Sequence, residues 1–200
     1  MSFSLRYWDF YHLFVGAWGL WALSWFVAAL WSARTTARPG LGAEAPNRII
    51  TIIGFLMMAR ALRLDWGVAW RLELWAVWLC FALTLGGFAF AWWARLHLGV
   101  LWSGTVTRKQ DHRVIDTGPY RFVRHPIYTG LLASAFATAI AAGYWEMLAG
   151  ACLMTLGFWL KAQLEERFLI AGLGEAEYAA YRQRVPMLIP FTKGWGGGRA

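Results

Sequence analysis

The rest of this chain can be interpreted from one stretch, Gly118-Pro-Tyr-Arg-Phe-Val-Arg-His-Pro-Ile-Tyr-Thr-Gly130. It is basic and aromatic, and apolar runs of helical length lie on both sides of it. Gly-Pro is a turn signal, and Pro126 suits the first position of a helix, where its missing N–H is not needed. We therefore expect a structured loop that returns the chain to an apolar medium. Its two arginines and its histidine must be solvated, paired or bound to a ligand.

The composition predicts a polytopic membrane protein made of a single domain, residues 1–200. Hydrophobic residues make up 59% of the chain, charged residues 15%, and there are 15 tryptophans. Soluble domains usually contain about 45–50% apolar and about 25% charged residues. The net charge of +8 could indicate a nucleic-acid partner. We expect none, because the cations lie between apolar runs, where membrane topology explains them.

The apolar runs predict an all-α fold, a membrane helical bundle of about five transmembrane helices. The connection 143–146 is very short, so the last two spans should form a C-terminal helical hairpin. The predicted spans cover residues 10–31, 49–58 or 49–64, 74–93, 127–142 and 147–160. Gly86-Gly87 in the third span should permit a close helix contact.

Charge patterning predicts which side of the membrane each loop occupies. Five spans put loops 32–48 and 95–125 and the C-terminus on one side, together with 15 of the 19 basic residues. Because cytoplasmic loops carry an excess of Lys and Arg, we expect this side to be cytoplasmic. Cys80 and Cys152 lie in apolar runs and predict buried free thiols, with neither a disulfide framework nor a metal site.

Two polar segments flank the hairpin, and we expect them to meet at its cytoplasmic end. One is 105–130 and the other is 161–190. The second contains Glu165 and Glu166, adjacent carboxylates that are costly near a membrane helix unless a cation or donors meet them. Arg121, Arg124 or a cationic ligand could do so. The alternative is a solvated helix face just outside the membrane, where charges need no partner.

Several motifs in the second half resemble those of the isoprenylcysteine carboxyl methyltransferases, a family of integral-membrane enzymes. Related membrane methyltransferases, including phospholipid N-methyltransferases, carry similar motifs. The matching pieces are His112–Ile115, Thr117–Tyr120, Arg124–Gly130, Glu165-Glu166 and the tail from Leu173 to Gly194. The resemblance implies that residues 95–194 form the catalytic half. Residues 1–94 would then be a scaffold that shapes the substrate entrance.

This resemblance also implies S-adenosylmethionine as the cofactor, in a pocket on the cytoplasmic side. The implied cofactor contacts are His112, Arg113, Val114, Ile115, Tyr120, His125, Pro126, Ile127, Tyr128 and Glu165. The expected catalytic residues are Arg124, His125 and Glu166, with His125 or Glu166 as the base if the acceptor is a neutral thiol or amine. Methyl transfer to a carboxylate or thiolate would depend mainly on orientation.

Lys161 is the expected substrate-binding residue. The family has an arginine at this position, one helical turn before the acidic pair, where it holds the substrate carboxylate. Lysine keeps the charge but loses the bidentate fork, so the methyl acceptor stays open: a carboxylate, or another lipophilic or small thiol or amine. An ordinary lysine extending to the membrane interface is the alternative.

Other function classes remain as alternatives at this stage. One is a membrane NADPH-dependent reductase of the sterol reductase type, and another is a non-enzymatic scaffold or transporter. A soluble-type methyltransferase fold is excluded, because Gly172-Leu-Gly174 follows no strand and no other Gly-rich nucleotide loop is present. The expected partners are membrane lipid and the methyl acceptor, with no metal.

Overall fold

The computed structural model of the chain describes residues 7–31, 35–37, 41–103, 108–109, 115–173 and 175–192. Most of these residues belong to six α-helices and to two short antiparallel strands, β1 and β2. In chain order the elements are α1 (Tyr7–Ala29), β1 (Thr35–Ala37), α2 (Leu41–Met58), α3 (Leu74–Leu98), β2 (Arg108–Lys109), α4 (Pro126–Ala142), α5 (Trp145–Leu173) and α6 (Glu175–Arg184). The predicted all-α membrane bundle is confirmed.

The predicted helical hairpin is formed by α4 and α5. Only Gly143 and Tyr144 separate the two helices. Gly143 has φ +70°, the left-handed conformation that commonly ends a helix. A Cβ atom at this position would collide with the backbone carbonyl of Trp70. Glycine is therefore required at position 143 for two reasons: the backbone conformation there, and the close approach of the loop that contains Trp70.

Small residues bring the helices together in pairs, α3 against α4 and α2 against α5. A Cβ on Gly87 would lie 2.5 Å from the carbonyl oxygen of Gly130, and a Cβ on Gly54 would lie 2.7 Å from that of Gly150. Such contacts let helix backbones approach closely in a membrane. Of the predicted Gly86-Gly87 pair, Gly87 makes the contact and Gly86 faces open space.

Hydrogen bonds from Arg95 connect the end of α1 with the end of α3. Its side chain is completely buried, and its guanidinium donates to the carbonyl oxygens of Ala28 at 2.7 Å, Trp31 at 2.6 Å and Gly99 at 2.6 Å. These carbonyls lie where helices α1 and α3 end, where carbonyl groups run out of α-helical hydrogen-bond partners. The sequence pattern predicts a polar loop from residue 95 onward, but this prediction is wrong for Arg95, because α3 continues to Leu98.

The second predicted span begins much earlier than expected. Helix α2 starts at Leu41 rather than Ile49, although Pro46 lies inside it. Proline removes one helical hydrogen bond, but tertiary packing holds this part of α2: Gly157 of α5 lies directly against Asn47 and Thr51. The fifth predicted span also differs, because α5 continues unbroken beyond residue 160 to Leu173 and so carries the acidic pair.

Among the residues that the structure describes, three helices are long and apolar enough to cross a membrane: 10–29 in α1, 74–101 at α3 and 145–171 in α5. Helix α4 is a shorter apolar helix of 17 residues. The count of five spans stays a prediction. Cys80 is a buried free thiol as expected, whereas Cys152 is exposed on the outer surface of α5, so its predicted burial was wrong.

The bundle has two distinct ends. At one end, Ala69 donates its backbone N–H to the carbonyl oxygen of Gly143 at 2.7 Å, and Arg60 lies 3.1 Å from the buried carboxylate of Glu146. At the other end lie the turn that precedes α4 and the C-terminal residues, which contact each other. The motif-bearing segments 115–125 and 161–192 therefore meet at one end of the α4–α5 hairpin, as predicted.

Candidate active site

The segment that leads into α4 is held by residues from the end of the chain. We refer to residues 185–192 as the C-terminal strap. The backbone N–H groups of Arg124 and His125 donate to the carbonyl oxygens of Pro186 at 2.8 Å and Met187 at 3.1 Å. One turn into α4, the Thr129 hydroxyl donates to a further strap carbonyl at 2.6 Å. The strap thus fixes the direction in which the 124–128 side chains point.

Arg124 and Glu166 form a buried ion pair at the centre of this end. The Nε of Arg124 lies 2.7 Å from Oε1 of Glu166 and Nη2 lies 3.3 Å from Oε2, and both side chains are only 4% exposed. The remaining Nη1 of Arg124 donates to the carbonyl oxygens of Arg182 and Val185. Bidentate geometry and full pairing are what a buried guanidinium and carboxylate require.

His125 connects the two carboxylates. Its Nε2 lies 3.1 Å from Glu166 Oε1, and its Nδ1 lies 3.5 Å from Glu165 Oε2. Burial by itself lowers the pKa of His125, but hydrogen bonds and charges from Glu165 and Glu166 outweigh burial, so the pKa is raised above its ordinary value. His125 is therefore stabilised as a cation between two anions.

Tyr128 lies in the middle of a stack of three aromatic rings next to the carboxylate of Glu165. Its ring is nearly parallel to those of His125, at a centroid distance of 5.5 Å, and Phe158, at 4.9 Å. Its hydroxyl donates to Glu165 Oε1 at 2.7 Å. The Nζ of Lys161 lies 3.9 Å from the same oxygen and 5.3 Å from the Tyr128 ring centroid. Lys161 thus lies in the cluster, as its predicted role requires.

Tyr120 lines the neighbouring side of the cluster. Its carbonyl oxygen accepts a hydrogen bond from the Tyr181 hydroxyl at 2.8 Å, and its own hydroxyl points toward the carbonyl of Ala94 at 3.5 Å. Burial, followed by the charges of Tyr181 and Glu165, raises the pKa of Tyr120. Tyr120 is therefore a neutral hydroxyl close enough to Glu165 to experience its charge.

Six of the 13 predicted site residues are brought into direct contact with one another. Arg124, His125, Tyr128, Lys161, Glu165 and Glu166 form one connected cluster, which we call the Glu165 cluster. Pro126 begins α4 as predicted, and Ile127 follows it in the first turn. Ile115 is partly buried just before the turn. His112, Arg113 and Val114 lie outside the described residues.

The contribution of helix α6 to the site was not predicted from the sequence. The Nε of Arg182 lies 3.4 Å from Glu166 Oε2, and Tyr181 holds the Tyr120 backbone. Tyr178, Tyr181 and Val185 form a small buried core. Their spacing of three and four residues is that of one helix face, which was the available signal. Phe158, the third ring of the stack, was also missed, because nothing distinguishes it from other aromatics of an apolar span.

The cluster offers a ligand both a carboxylate and cations. Glu166 is saturated by Arg124, His125 and Arg182, whereas the side chain of Glu165 remains 18% exposed. Glu165 is thus the carboxylate that can still meet a cationic ligand. Within the residues that the structure describes, no group of three or more His, Cys, Asp or Glu side chains has the arrangement of a metal site.

Comparison with known proteins identifies similar sequences and similar structures. A sequence model of the family "Phospholipid methyltransferase" matches residues 75–176, just over half of the chain. Methanethiol S-methyltransferase 1 of Bradyrhizobium diazoefficiens is 43% identical over 75 residues, covering 37% of this chain and 25% of that protein. The protein-S-isoprenylcysteine O-methyltransferase of Schizosaccharomyces pombe is 34% identical over 91 residues, covering 42% and 35%.

The structural comparison agrees with the sequence matches. The eukaryotic intramembrane Ras methyltransferase isoprenylcysteine carboxyl methyltransferase, solved without a monobody, aligns with a TM-score of 0.55 at 21% identity, over 74% of this chain and 53% of that one. At this identity the likeness concerns the fold. The matches with the curated relatives span about a quarter to a third of those proteins' length.

The comparisons confirm the resemblance drawn from the motifs and give no support to a membrane reductase or a non-enzymatic scaffold. They imply that a methyl donor is the cofactor. Because the family model covers more than half of its length, this chain belongs to the phospholipid methyltransferase family of membrane methyltransferases.

Proposed function

We propose that this protein is a multi-pass membrane enzyme that uses S-adenosylmethionine to methylate a thiol, carried by a small or lipophilic acceptor. The observation that supports this proposal most directly is the Glu165 cluster. One partly exposed carboxylate, two basic side chains and a stack of aromatic rings meet at the end of a hairpin in a chain of the methyltransferase family.

The residues present fit S-adenosylmethionine. Glu165 would pair with its ammonium group, since this carboxylate keeps an exposed face. The hydroxyl of Tyr128 and the imidazole of His125 would bind polar groups of the ligand, with Tyr120 and the predicted contacts 112–115 and 126–127 enclosing the rest. When bound, S-adenosylmethionine supplies a methyl group on a sulfonium: the acceptor's lone pair forms the new bond while the old C–S bond breaks and leaves its electrons on the donor sulfur.

The residues around Lys161 favour a thiolate acceptor. Lys161 and His125, whose pKa is raised by Glu165 and Glu166 against the effect of burial, both lie close to the Tyr128 ring. Positive charge lowers the pKa of a thiol and favours the nucleophilic thiolate. A thiolate needs no general base, and the two carboxylates favour the protonated form of His125, which suits a donor better than a base. The relatives named methanethiol S-methyltransferases support the same acceptor chemistry.

Arg124 and Glu166 were expected to be catalytic, and this expectation stays a prediction. Their contacts favour a positioning role. Each is almost fully buried, and each satisfies the other. Through His125, which contacts Glu166 directly, the pair would set the orientation of the imidazole toward the ligand. Rigid placement of this kind contributes strongly when orientation rather than proton transfer limits the reaction.

A carboxylate acceptor of the isoprenylcysteine type is the second candidate. The relatives named isoprenylcysteine O-methyltransferases and the likeness of fold support it. In either case we propose that the acceptor approaches from the lipid, past spans contributed by residues 1–94. The active site formed by the catalytic half, 95–194, would face the cytoplasm, because the predicted topology assigns 15 of the 19 basic residues to its side of the membrane.

Two measurements test the proposal. Isothermal titration of the purified protein with S-adenosylhomocysteine should show binding, and the same titration with NADPH should show none. Transfer of radiolabelled methyl groups should then be followed over thiol, prenylcysteine and phospholipid acceptors, with thiols expected to be methylated fastest. Binding of NADPH alone, or of neither compound, would contradict a methyltransferase. Methylation of prenylcysteine but not of thiols would leave the enzyme class intact and overturn the acceptor.

A further inference from the structure

A second concave region lies on the outer face of the α4–α5 hairpin. It is a groove of about 980 Å³ between α4, α5 and the C-terminal strap, and we call it the hairpin groove. Its lining is mostly apolar. Representative lining residues are Leu132, Phe136, Cys152, Leu156, Ile170 and Leu188.

The hairpin groove is separate from the proposed cofactor site. The residues that α5 contributes to the groove, such as Leu156, Trp159 and Gln163, recur every three or four positions and so lie on one helix face. Phe158 and Glu165, which belong to the ring stack and the Glu165 cluster, lie between these positions in the sequence. At about 100° per residue, their side chains point roughly 120–140° away from the middle of the groove face.

The length and position of the groove suit a lipid chain. Along α5 the lining extends from Cys152 to Ile170, about 27 Å at roughly 1.5 Å per residue. This part of α5 belongs to a segment long and apolar enough to cross a membrane. A groove that opens outward from such a segment faces acyl chains rather than water, and an acyl chain matches its apolar lining.

One end of the groove is cationic. Arg124, Arg167 and Arg182 line this end, where Glu166 is the only acidic lining residue among those described. Arg167 is exposed, so its charge is available to a ligand. The strap also presents Ile189 and Phe191 outward, 66% and 94% exposed. Basic and exposed apolar side chains together are typical of a surface at the lipid headgroup level.

We propose that the hairpin groove binds an anionic glycerophospholipid. Its phosphodiester would lie at Arg167 and Arg182, and one acyl chain would extend along the groove toward Cys152. This lipid is a bound partner rather than the methyl acceptor, because the Arg124–Glu166 pair lines the groove and lies between it and the proposed ligand-binding side chains of His125, Tyr128 and Glu165. The lipid would hold the strap against α4, and so support the site from outside.

The headgroup preference can be tested by native mass spectrometry of the detergent-purified protein. Phosphatidylglycerol should be retained in preference to phosphatidylcholine of the same acyl chains. Arg167→Gln should weaken phosphatidylglycerol binding by about fivefold, the effect of about 1 kcal/mol per arginine near an anionic surface. The matched control is Arg71→Gln, because Arg71 is also exposed but lies at the other end of the helical bundle. Equal retention of both lipids, or an unchanged Arg167→Gln variant, would overturn the headgroup site.

The acyl-chain position can be tested without changing the wild-type groove. Cys152 is exposed within the groove, whereas Cys80 is buried, so N-ethylmaleimide should modify Cys152 selectively. Adding phosphatidylglycerol should slow this modification severalfold, and the Cys152→Ser variant identifies the labelled thiol. A labelling rate that phosphatidylglycerol leaves unchanged would show that no chain covers the groove. A rate slowed equally by phosphatidylcholine would again overturn the anionic preference.

Discussion

Arg124 and Glu166 meet through two contacts, Nε to Oε1 at 2.7 Å and Nη2 to Oε2 at 3.3 Å, with both side chains buried. Arg124 immediately precedes the residue that caps α4, and Glu166 is on α5. The same guanidinium binds the carbonyl oxygens of Arg182 and Val185 at the end of α6. One ion pair therefore connects the hairpin with the C-terminal helix, and three separate parts of the sequence depend on it.

Replacing this arginine tests how much its geometry matters. Arg124→Lys keeps the charge but cannot make the bidentate contact and both carbonyl contacts. Hydrogen bonds to charged groups contribute roughly 1.5–3 kcal/mol each. We expect the free energy of unfolding to fall by at least about 2 kcal/mol, measured by denaturant unfolding in mixed micelles. Arg121→Lys is the control, because Arg121 is exposed. Equal stability of the two variants would contradict the role assigned to the pair.

Glu165 should be needed for the cofactor and not for folding. Glu165→Gln removes the negative charge proposed to meet the ligand's ammonium, while the amide can still accept a hydrogen bond from Tyr128. We expect binding of S-adenosylhomocysteine to be lost in isothermal titration, with the thermal unfolding profile retained. Wild-type affinity in this variant would remove Glu165 from the cofactor site.

Lys161 should influence which acceptor is methylated. Arginine at this position offers a planar fork that matches a carboxylate, whereas lysine is a compact charge. Lys161→Arg should therefore raise kcat/KM for a prenylcysteine carboxylate relative to a thiol. The comparison uses both acceptors with the same enzyme preparation, so a general loss of activity cancels. If the ratio does not change, Lys161 does not discriminate between acceptors.

The pairing of His125 predicts a particular pH dependence of stability. Its pKa is raised in the folded protein relative to about 6.5 in an unfolded chain, because Glu165 and Glu166 favour the cation. The resulting stabilisation is fully present below pH 6.5 and is lost as the pH rises through the folded-state pKa. Denaturant unfolding should therefore show the free energy of unfolding falling above about pH 6.5. His125→Gln should lack this component, and a parallel decline in that variant would assign it to another group.

The motif residues and their meeting point could be predicted because they depend on local chemistry and chain connectivity. A two-residue connection between apolar helices forces an antiparallel hairpin, so the segments before α4 and late in α5 had to meet. Adjacent carboxylates next to a membrane segment are expected to pair with cations, and of the two candidate arginines it is Arg124 that pairs with Glu166. Such inferences need no knowledge of the tertiary packing.

Features that depend on tertiary packing could not be predicted in the same way. Pro46 was taken as part of a loop, yet α2 passes through it because α5 packs against Asn47 and Thr51. Arg95 was assigned to a loop, yet it is buried where it meets the carbonyl oxygens at the end of α1. In both cases a contact with a distant part of the chain outweighs the local signal, and a single sequence does not contain that contact.

The last residue of the motif has a packing role that can be tested separately from catalysis. Gly130 faces Gly87 across the α3–α4 contact, and a Cβ on either would overlap backbone atoms of the other helix. Gly87→Ala and Gly130→Ala should each destabilise the protein by about 1–3 kcal/mol, the usual effect of overpacking. Gly86→Ala is the neighbouring control: nothing lies within 4 Å of its Cβ position, and alanine favours a helix by roughly 0.5–1 kcal/mol. Denaturant unfolding of the three variants should therefore give opposite signs at positions 86 and 87, and equal effects at these two positions would contradict a close helix contact.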